Sequence, residues 1–157
     1  MASVLRRSPL NRALGAYEVI AMKKEILPLF EFGTWCQLNT IQDQELILLK
    51  GHLILDIALT QLYGDKLSFY GKANKLSQNE DYLVCAQMLL EINSIRNKLA
   101  HEFSFDASES GLLEWAEDVL SKIKFTKHSK MTARTKVVHA FSALARETLS
   151  FSFNMPN

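Results

Sequence analysis

The chain has 157 residues, a length that suits one domain with a buried core. Hydrophobic residues make up 48% and charged residues 22%, a composition that excludes a disordered chain. The formal net charge is only +1, so a nucleic-acid partner would have to be met by a local basic patch.

The cysteines, the absence of metal-ligand spacing and the length of the apolar runs indicate the compartment and the cofactors to expect. Cys36 and Cys85 lie among apolar neighbours, which favours buried thiols in a reducing compartment over a disulfide. No His/Cys cluster has metal-ligand spacing, so we expect no metal and no other cofactor. No apolar run is expected to reach the roughly 18 residues of a membrane span. Residues 1–9 are read as a basic tail rather than a secretory signal or a transit peptide. These features predict a cytoplasmic protein without a membrane partner.

The pattern along the chain predicts an all-α fold, a compact up-and-down bundle of five to six helices. Only three prolines occur, and the alternation typical of strands is absent. A first helix is predicted from Leu10 to about Leu27, and Pro28 should end or kink it because proline lacks the backbone N–H. Residues 29–38, rich in aromatic side chains, could form a short helix or a packed connector.

A second helix should begin at the capping-box sequence Thr40-Ile41-Gln42-Asp43. Its main stripe is formed by Leu46, Leu49, Leu53, Ile57 and Leu62. Further apolar residues make it apolar nearly all round, which is typical of a central helix or of one in an interface. His52 and Asp56 are its polar exceptions. They either bond each other or leave Asp56 to face the polar stripe described below.

The remaining helices follow from the same periodicity. A short helix is predicted at 67–76, a long one at 80–101, another from Leu112, and a last one from Thr132 to Phe151. Asp106, in the loop at 103–110, is a candidate N-cap for the helix that follows it.

The segment from Glu91 to Phe103 contains the strongest candidates for a functional site. On the helix that it predicts, one side is polar, formed by Asn93, Arg96, Asn97, Ala100 and His101. A guanidinium, an amide and an imidazole there could all contact a phosphate. Such residues are also ordinary on a solvated helix, where a late histidine is favoured by the helix dipole. There is no acidic residue between Glu91 and Glu102 to neutralise Arg96. This absence favours the reading in which the polar side binds a phosphate.

This segment resembles a known signature. Residues 96–101, Arg-Asn-Lys-Leu-Ala-His, resemble the Arg-x4-His motif of HEPN domains in its form Arg-Asn-x-x-Ala-His. The run from Gly51 to Leu59 is similar to the HEPN helix that brings a polar or acidic residue toward the motif, and Asp56 is the matching position. Residues 51–103 also resemble the mannitol-operon-repressor-like branch.

The resemblance implies a HEPN-like ribonuclease domain over residues 1–157. A metal-independent nuclease would use the RNA's own 2′-hydroxyl, with a histidine as acid or base and an arginine to stabilise the phosphate. We therefore expect Arg96, His101, Asn97 and Asp56 to be catalytic. Because one chain offers one motif histidine, a homodimer with a composite site would supply both acid and base. HEPN ribonucleases are regarded as such dimers.

One departure concerns the neutralising partner. In HEPN toxins paired with a nucleotidyltransferase antitoxin the motif continues His-x-Tyr, and the tyrosine is modified. The matching residue here is Phe103, which has no hydroxyl. Neutralisation by that route is therefore not expected, although an antitoxin or regulatory protein is a possible partner.

A basic window follows the motif. Residues 122–136 contain no acid, and their basic residues are Lys122, Lys124, Lys127, Lys130, Arg134 and Lys136. The window is either a solvated face or the strip on which an RNA backbone is bound.

Three readings follow from the sequence. The first is a metal-independent endoribonuclease of toxin–antitoxin or phage-defence type. The alternative is a catalytically inactive HEPN or mannitol-repressor-like module that regulates or binds a nucleotide, RNA or protein, and a purely structural adaptor is a third reading.

Overall fold

The structure, a computed structural model, describes the backbone of residues 9–154 and the side chains of residues 21, 22 and 25–154. The predicted basic tail falls largely outside this range. The regular structure within it is entirely helical, which confirms the all-α prediction. The six helices are α1 (Pro9–Asn39), α2 (Gln44–Tyr63), α3 (Phe69–Leu76), α4 (Leu83–His101), α5 (Leu112–Lys122) and α6 (Ala133–Asn154), with a 3-10 turn at Glu80–Tyr82.

The first helix does not end at Pro28. The helix runs for 31 residues with Pro28 inside it, so the prediction that it ends there and that residues 29–38 form a separate element was wrong. Pro28 is exposed, and a proline removes one helical hydrogen bond. The turns after it are anchored by buried Glu31 and Leu38, and this packing keeps the helix continuous.

The caps of two helices differ from the predicted ones. Asp43, not Thr40, caps α2, because its Oδ1 accepts a 2.8 Å hydrogen bond from the backbone N–H of Leu46. Asp106 does not cap α5. It accepts instead from the backbone N–H of Ser108, and Gly111 precedes the helix with φ 82°.

The helix α2 buries a different face from the predicted one. Its buried residues are Ile47, Leu48, Gly51, Leu55, Ala58 and Leu59. Four members of the stripe predicted as its main apolar face are exposed, namely Leu46, Leu49, Leu53 and Ile57. A helix that is apolar all round does not reveal which side faces inward. Here Gly51 does so, because the ring of Phe141 occupies the space where a Cβ would lie.

The bundle is built around α6. Residues 137–145 of this helix are all buried, and it packs against α1, α2 and α5. It runs antiparallel to α1, since Arg146 pairs with Glu31 while Arg134 bonds the carbonyl of Asn39. The motif helix α4 packs mainly on α3, α2 and α5.

By length and composition, α2 could cross a membrane. Its sequence is interrupted by Glu45, Lys50, His52 and Asp56, so it contains no uninterrupted apolar run of about 18 residues. Core helices pass the same test, and 33% of the relevant window is buried in the bundle.

Candidate functional site

The polar stripe lies where the sequence predicted it, on the outer side of α4. Ile92 and Ile95 are buried against the bundle, whereas Asn97 and His101 are exposed and Arg96 is half-buried. The last turn of α4 contains Lys98 and His101, and positive charge there is favoured by the helix dipole. The α4 polar face, meaning Asn93, Arg96, Asn97, Ala100 and His101, is therefore accessible from solvent.

Three of these side chains have unused hydrogen-bonding capacity. Arg96, Asn97 and His101 form no side-chain hydrogen bond or ion pair with any residue that the structure describes. A guanidinium has five N–H donors and an amide has two. Within residues 21–154, this face therefore offers donors and a positive charge that the fold itself does not use.

A second histidine borders the face. The Nε2 atom of His52 on α2 lies 3.0 Å from Oδ1 of Asn93 on α4. Because that oxygen can only accept, Nε2 carries the proton and Nδ1 has a free lone pair. The ring also stacks on Phe69 of α3, with 4.1 Å between ring centroids. His52 therefore joins α2, α3 and α4 beside the predicted site.

The electrostatic surroundings of His52 show which charges lie near it. Burial is the main cause that lowers its pKa below the ordinary value, and the positive charge of Arg96 lowers it further. The hydrogen bond that His52 donates to Asn93 and the charge of Asp56 act in the opposite direction and raise the pKa. Arg96 and Asp56, two predicted site residues, are thus brought to the same histidine. His52 is neutral at pH 7.

Asp56 is engaged elsewhere. Its Oδ1 accepts a 2.9 Å hydrogen bond from Nζ of Lys72, and the same ammonium donates to Oγ1 of Thr60 at 2.7 Å. Lys72 is only 3% exposed, so its charge depends on this pairing. The predicted bond between His52 and Asp56 is therefore not present, and Asp56 forms no hydrogen bond with Arg96, although the charges of both residues act on His52. With Asp56 neutralised by Lys72, Arg96 keeps an uncompensated positive charge.

The basic window divides into paired and unpaired residues. Lys122 pairs with Asp118 at 2.8 Å, and Lys136 pairs with Glu117 at 2.6 Å. Arg134 donates to the carbonyls of Asn39 and Ile41, where it closes the turn between α1 and α2. The three remaining side chains are exposed and form no such bond within the described range. They are Lys124, Lys127 and Lys130.

The loop at 123–132, which carries the unpaired lysines, is held on α1 and α6. The backbone N–H of Thr126 donates to the buried carboxylate of Glu31, which also pairs with Arg146. The backbone N–H of His128 donates to Nε2 of His139 on α6. These contacts attach the loop to the α1–α6 side of the bundle, whereas α4 packs mainly on α2, α3 and α5.

His52 and Lys72 were not identified as site residues from the sequence, although the pattern around each of them indicated a buried polar contact. His52 interrupts an otherwise apolar helix, and a polar group in such a position needs a partner. Lys72 occupies the buried stripe of α3 together with Phe69, Ala73 and Leu76. A lysine on that stripe predicts a buried acidic partner, which a search for phosphate-binding residues does not find.

No protein-family model, curated protein or solved structure matches this chain. The resemblance to HEPN domains therefore stays a prediction from residues 51–103.

Proposed function

We propose that this chain is a metal-independent endoribonuclease of toxin–antitoxin or phage-defence type, with a site completed by a second copy. The observation that carries the proposal is the α4 polar face. Arg96, Asn97 and His101 are accessible there and have no partner among the described residues. The proposed substrate is single-stranded RNA, and the proposed compartment is the cytoplasm.

In the proposed reaction His101 takes the proton from a 2′-hydroxyl of the RNA. The 2′-oxygen attacks the adjacent phosphorus and the bond to the 5′-oxygen breaks. His101 of the second copy then gives a proton to that leaving oxygen. The products are a 2′,3′-cyclic phosphate and a 5′-hydroxyl. Arg96 stabilises the charge that develops on the phosphate, and Asn97 orients His101 or holds the phosphate.

The environment of Arg96 supports this assignment. Lys72 neutralises Asp56, so this carboxylate does not reduce the attraction of Arg96 for a phosphate.

The alternative is a catalytically inactive module that binds a nucleotide, RNA or protein through the same face. One observation favours it. The residue that matches the HEPN acidic position, Asp56, forms an ion pair with Lys72 and does not bond the motif. A site without that contact could bind a phosphate and leave it intact.

A cleavage assay with matched variants separates the two. Purified protein is incubated with end-labelled single-stranded RNA in EDTA, and the product termini are identified. We expect wild type to cleave, Arg96→Ala and His101→Ala to abolish cleavage, and Asn97→Ala to slow it by about 10²–10³. Lys98→Ala is the matched control, because Lys98 is an exposed cation on the same helix.

A second control concerns the nucleophile. RNA with one 2′-deoxy residue at the cleaved position should not be cleaved, because it lacks the 2′-oxygen that attacks the phosphorus. If wild type cleaves no RNA, or if His101→Ala cleaves as fast as wild type, the nuclease proposal is wrong. RNA binding that is lost in Arg96→Ala would then assign the face to the inactive module.

A further inference from the structure

The helices α1 and α2 present apolar side chains to solvent over a wide area. On α1 these are Met22, Ile26 and Leu29, and on α2 they are Leu46, Leu49, Leu53 and Ile57. Each is between 38% and 66% exposed. We refer to these seven residues as the α1–α2 apolar face. Single exposed aliphatic residues are normal, but a continuous group indicates an interaction surface.

A groove joins the two rows. It has a volume of about 230 Å³ and is lined by residues of both helices, including Leu29, Gly33, Ile54 and Ile57. A Cβ placed on Gly33 would meet no atom within 4 Å, so the floor of the groove is open. The groove has room for an aliphatic side chain from another molecule.

The area of this face matches a protein interface. Its seven side chains expose on the order of 600 Å² of mostly apolar surface, estimated from their exposed fractions. A standard interface buries roughly 800 Å² on each partner, and about 65% of a homodimer interface is apolar. The face therefore supplies the apolar area of one complete half-interface.

The pattern on α2 is suited to a second copy. Leu46, Leu49 and Leu53 are spaced by three and four residues, the spacing at which two helices pack side by side. A two-fold contact places the same surface on both partners. The seven residues are uncharged, and Lys50, exposed on α2 one turn from Leu46 and Leu53, is a positive charge that a two-fold contact must place at the edge of the interface.

The face also borders the candidate site. His52, which bonds Asn93 of α4, lies on α2 between Leu49 and Leu53. A second copy seated on these leucines would approach the edge of the α4 polar face. This continuity favours a second copy over an unrelated partner, because the proposed reaction needs two copies.

We propose that the α1–α2 apolar face is the two-fold interface of a homodimer, and that the groove over Gly33 takes an aliphatic side chain of the other copy. The choice of a second copy over another partner and its consequence for cleavage rest on the proposed function, whereas the presence of an interface on this face rests on the exposed apolar surface.

Sedimentation of the full chain without RNA tests the interface. We expect a dimer at tens of micromolar protein, and monomers for Leu49→Glu and Leu53→Glu. Glutamate is a good helix former, so α2 should stay helical by circular dichroism. Gly33→Leu fills the groove from within and should weaken the dimer roughly tenfold or more. The matched control is Val84→Glu, because Val84 is 45% exposed on α4, outside the face, and this variant should stay dimeric.

The outcomes are distinct. A strictly monomeric wild type overturns the inference, and so does a dimer that survives all three face variants. A monomer that floats with phosphatidylcholine vesicles assigns the face to a membrane and also overturns it. A dimer that cleaves no RNA leaves the interface standing and removes the proposed function. A monomer that cleaves overturns the inference and also removes the second copy from the proposed site, while the nuclease activity stands.

Discussion

The ammonium group of Lys72 lies 2.9 Å from Oδ1 of Asp56, and this pair fixes α3 to α2. Lys72 is almost completely buried, so removal of the carboxylate would leave a charge without its partner. We expect Asp56→Ala to lower the free energy of unfolding by about 2–3 kcal/mol, as measured by urea denaturation. The control is Asp118→Ala, which breaks the exposed pair with Lys122 and should change stability by less than about 1 kcal/mol.

The same variant also tests the role that the resemblance gave to Asp56. If Asp56→Ala keeps wild-type stability but loses RNA cleavage, Asp56 acts in the reaction and the ion pair is incidental. Loss of stability with cleavage retained at low temperature would assign it to the fold alone.

His139 makes stability depend on pH. Its Nε2 accepts a hydrogen bond from the backbone N–H of His128, so the proton lies on Nδ1, which donates to the carbonyl of Thr135. Burial is the main cause that lowers the pKa of His139. The unfolded chain, with an ordinary value of about 6.5, therefore binds more protons than the folded one just below that pH. The folded state therefore has its full stability from neutral His139 above pH about 6.5 and loses it as the pH falls.

Urea denaturation between pH 5 and 8 measures this dependence. We expect the free energy of unfolding to decrease below pH about 6.5 in wild type and to decrease less steeply in His139→Gln. The pKa of His52 is also lowered, chiefly by burial, so a smaller dependence should remain in that variant. Equal slopes in the two proteins would contradict the assignment to His139.

Two glycines should respond to alanine in opposite ways. A Cβ on Gly51 would lie 2.6 Å from the fully buried ring of Phe141, so Gly51→Ala should cost about 1–3 kcal/mol. Gly33 is also inside a helix but has no atom within 4 Å of its Cβ position. Gly33→Ala should therefore stabilise the chain by about 0.5–1 kcal/mol through a less flexible unfolded state. Thermal unfolding of both variants checks the pair, and equal signs would contradict it.

The sequence predicted the helices better than it predicted their faces. The 3.6-residue period located α4, and a short helix near 67–76 and the last helix were also predicted close to their observed bounds. It did not show which side of α2 is buried, because apolar residues surround that helix. The approach of Phe141 to Gly51 decides this, and a contact across 90 residues of chain leaves no local pattern.

The candidate site shows the same limit. Arg96, Asn97 and His101 share one exposed face, as their spacing predicted. The partner of Asp56 could not be inferred from α2 and α4 alone, because Lys72 belongs to α3, the short helix that lies between them in the chain. Side-chain pairing between separate helices depends on packing, which one-dimensional periodicity does not contain.

The last prediction concerns the basic window. If RNA follows the loop at 123–132, the unpaired lysines should bind its phosphates and release counterions. We expect Lys127→Glu with Lys130→Glu to weaken binding and to flatten the dependence of affinity on salt. The control is the double variant Lys122→Glu with Lys136→Glu, which reverses the same number of charges. Because each of these already pairs with an acid at 2.8 and 2.6 Å, this control should flatten the slope less.

Affinity for a short single-stranded RNA at three salt concentrations measures the two slopes. Surface reversals rarely cost much stability, so both double variants should fold. The loop is attached through Thr126 and His128, whose backbone N–H groups bond Glu31 and His139, and neither variant touches those contacts. A slope unchanged by reversal of Lys127 and Lys130 would assign the loop to solvent. RNA binding would then depend on Arg96 and its neighbours on α4.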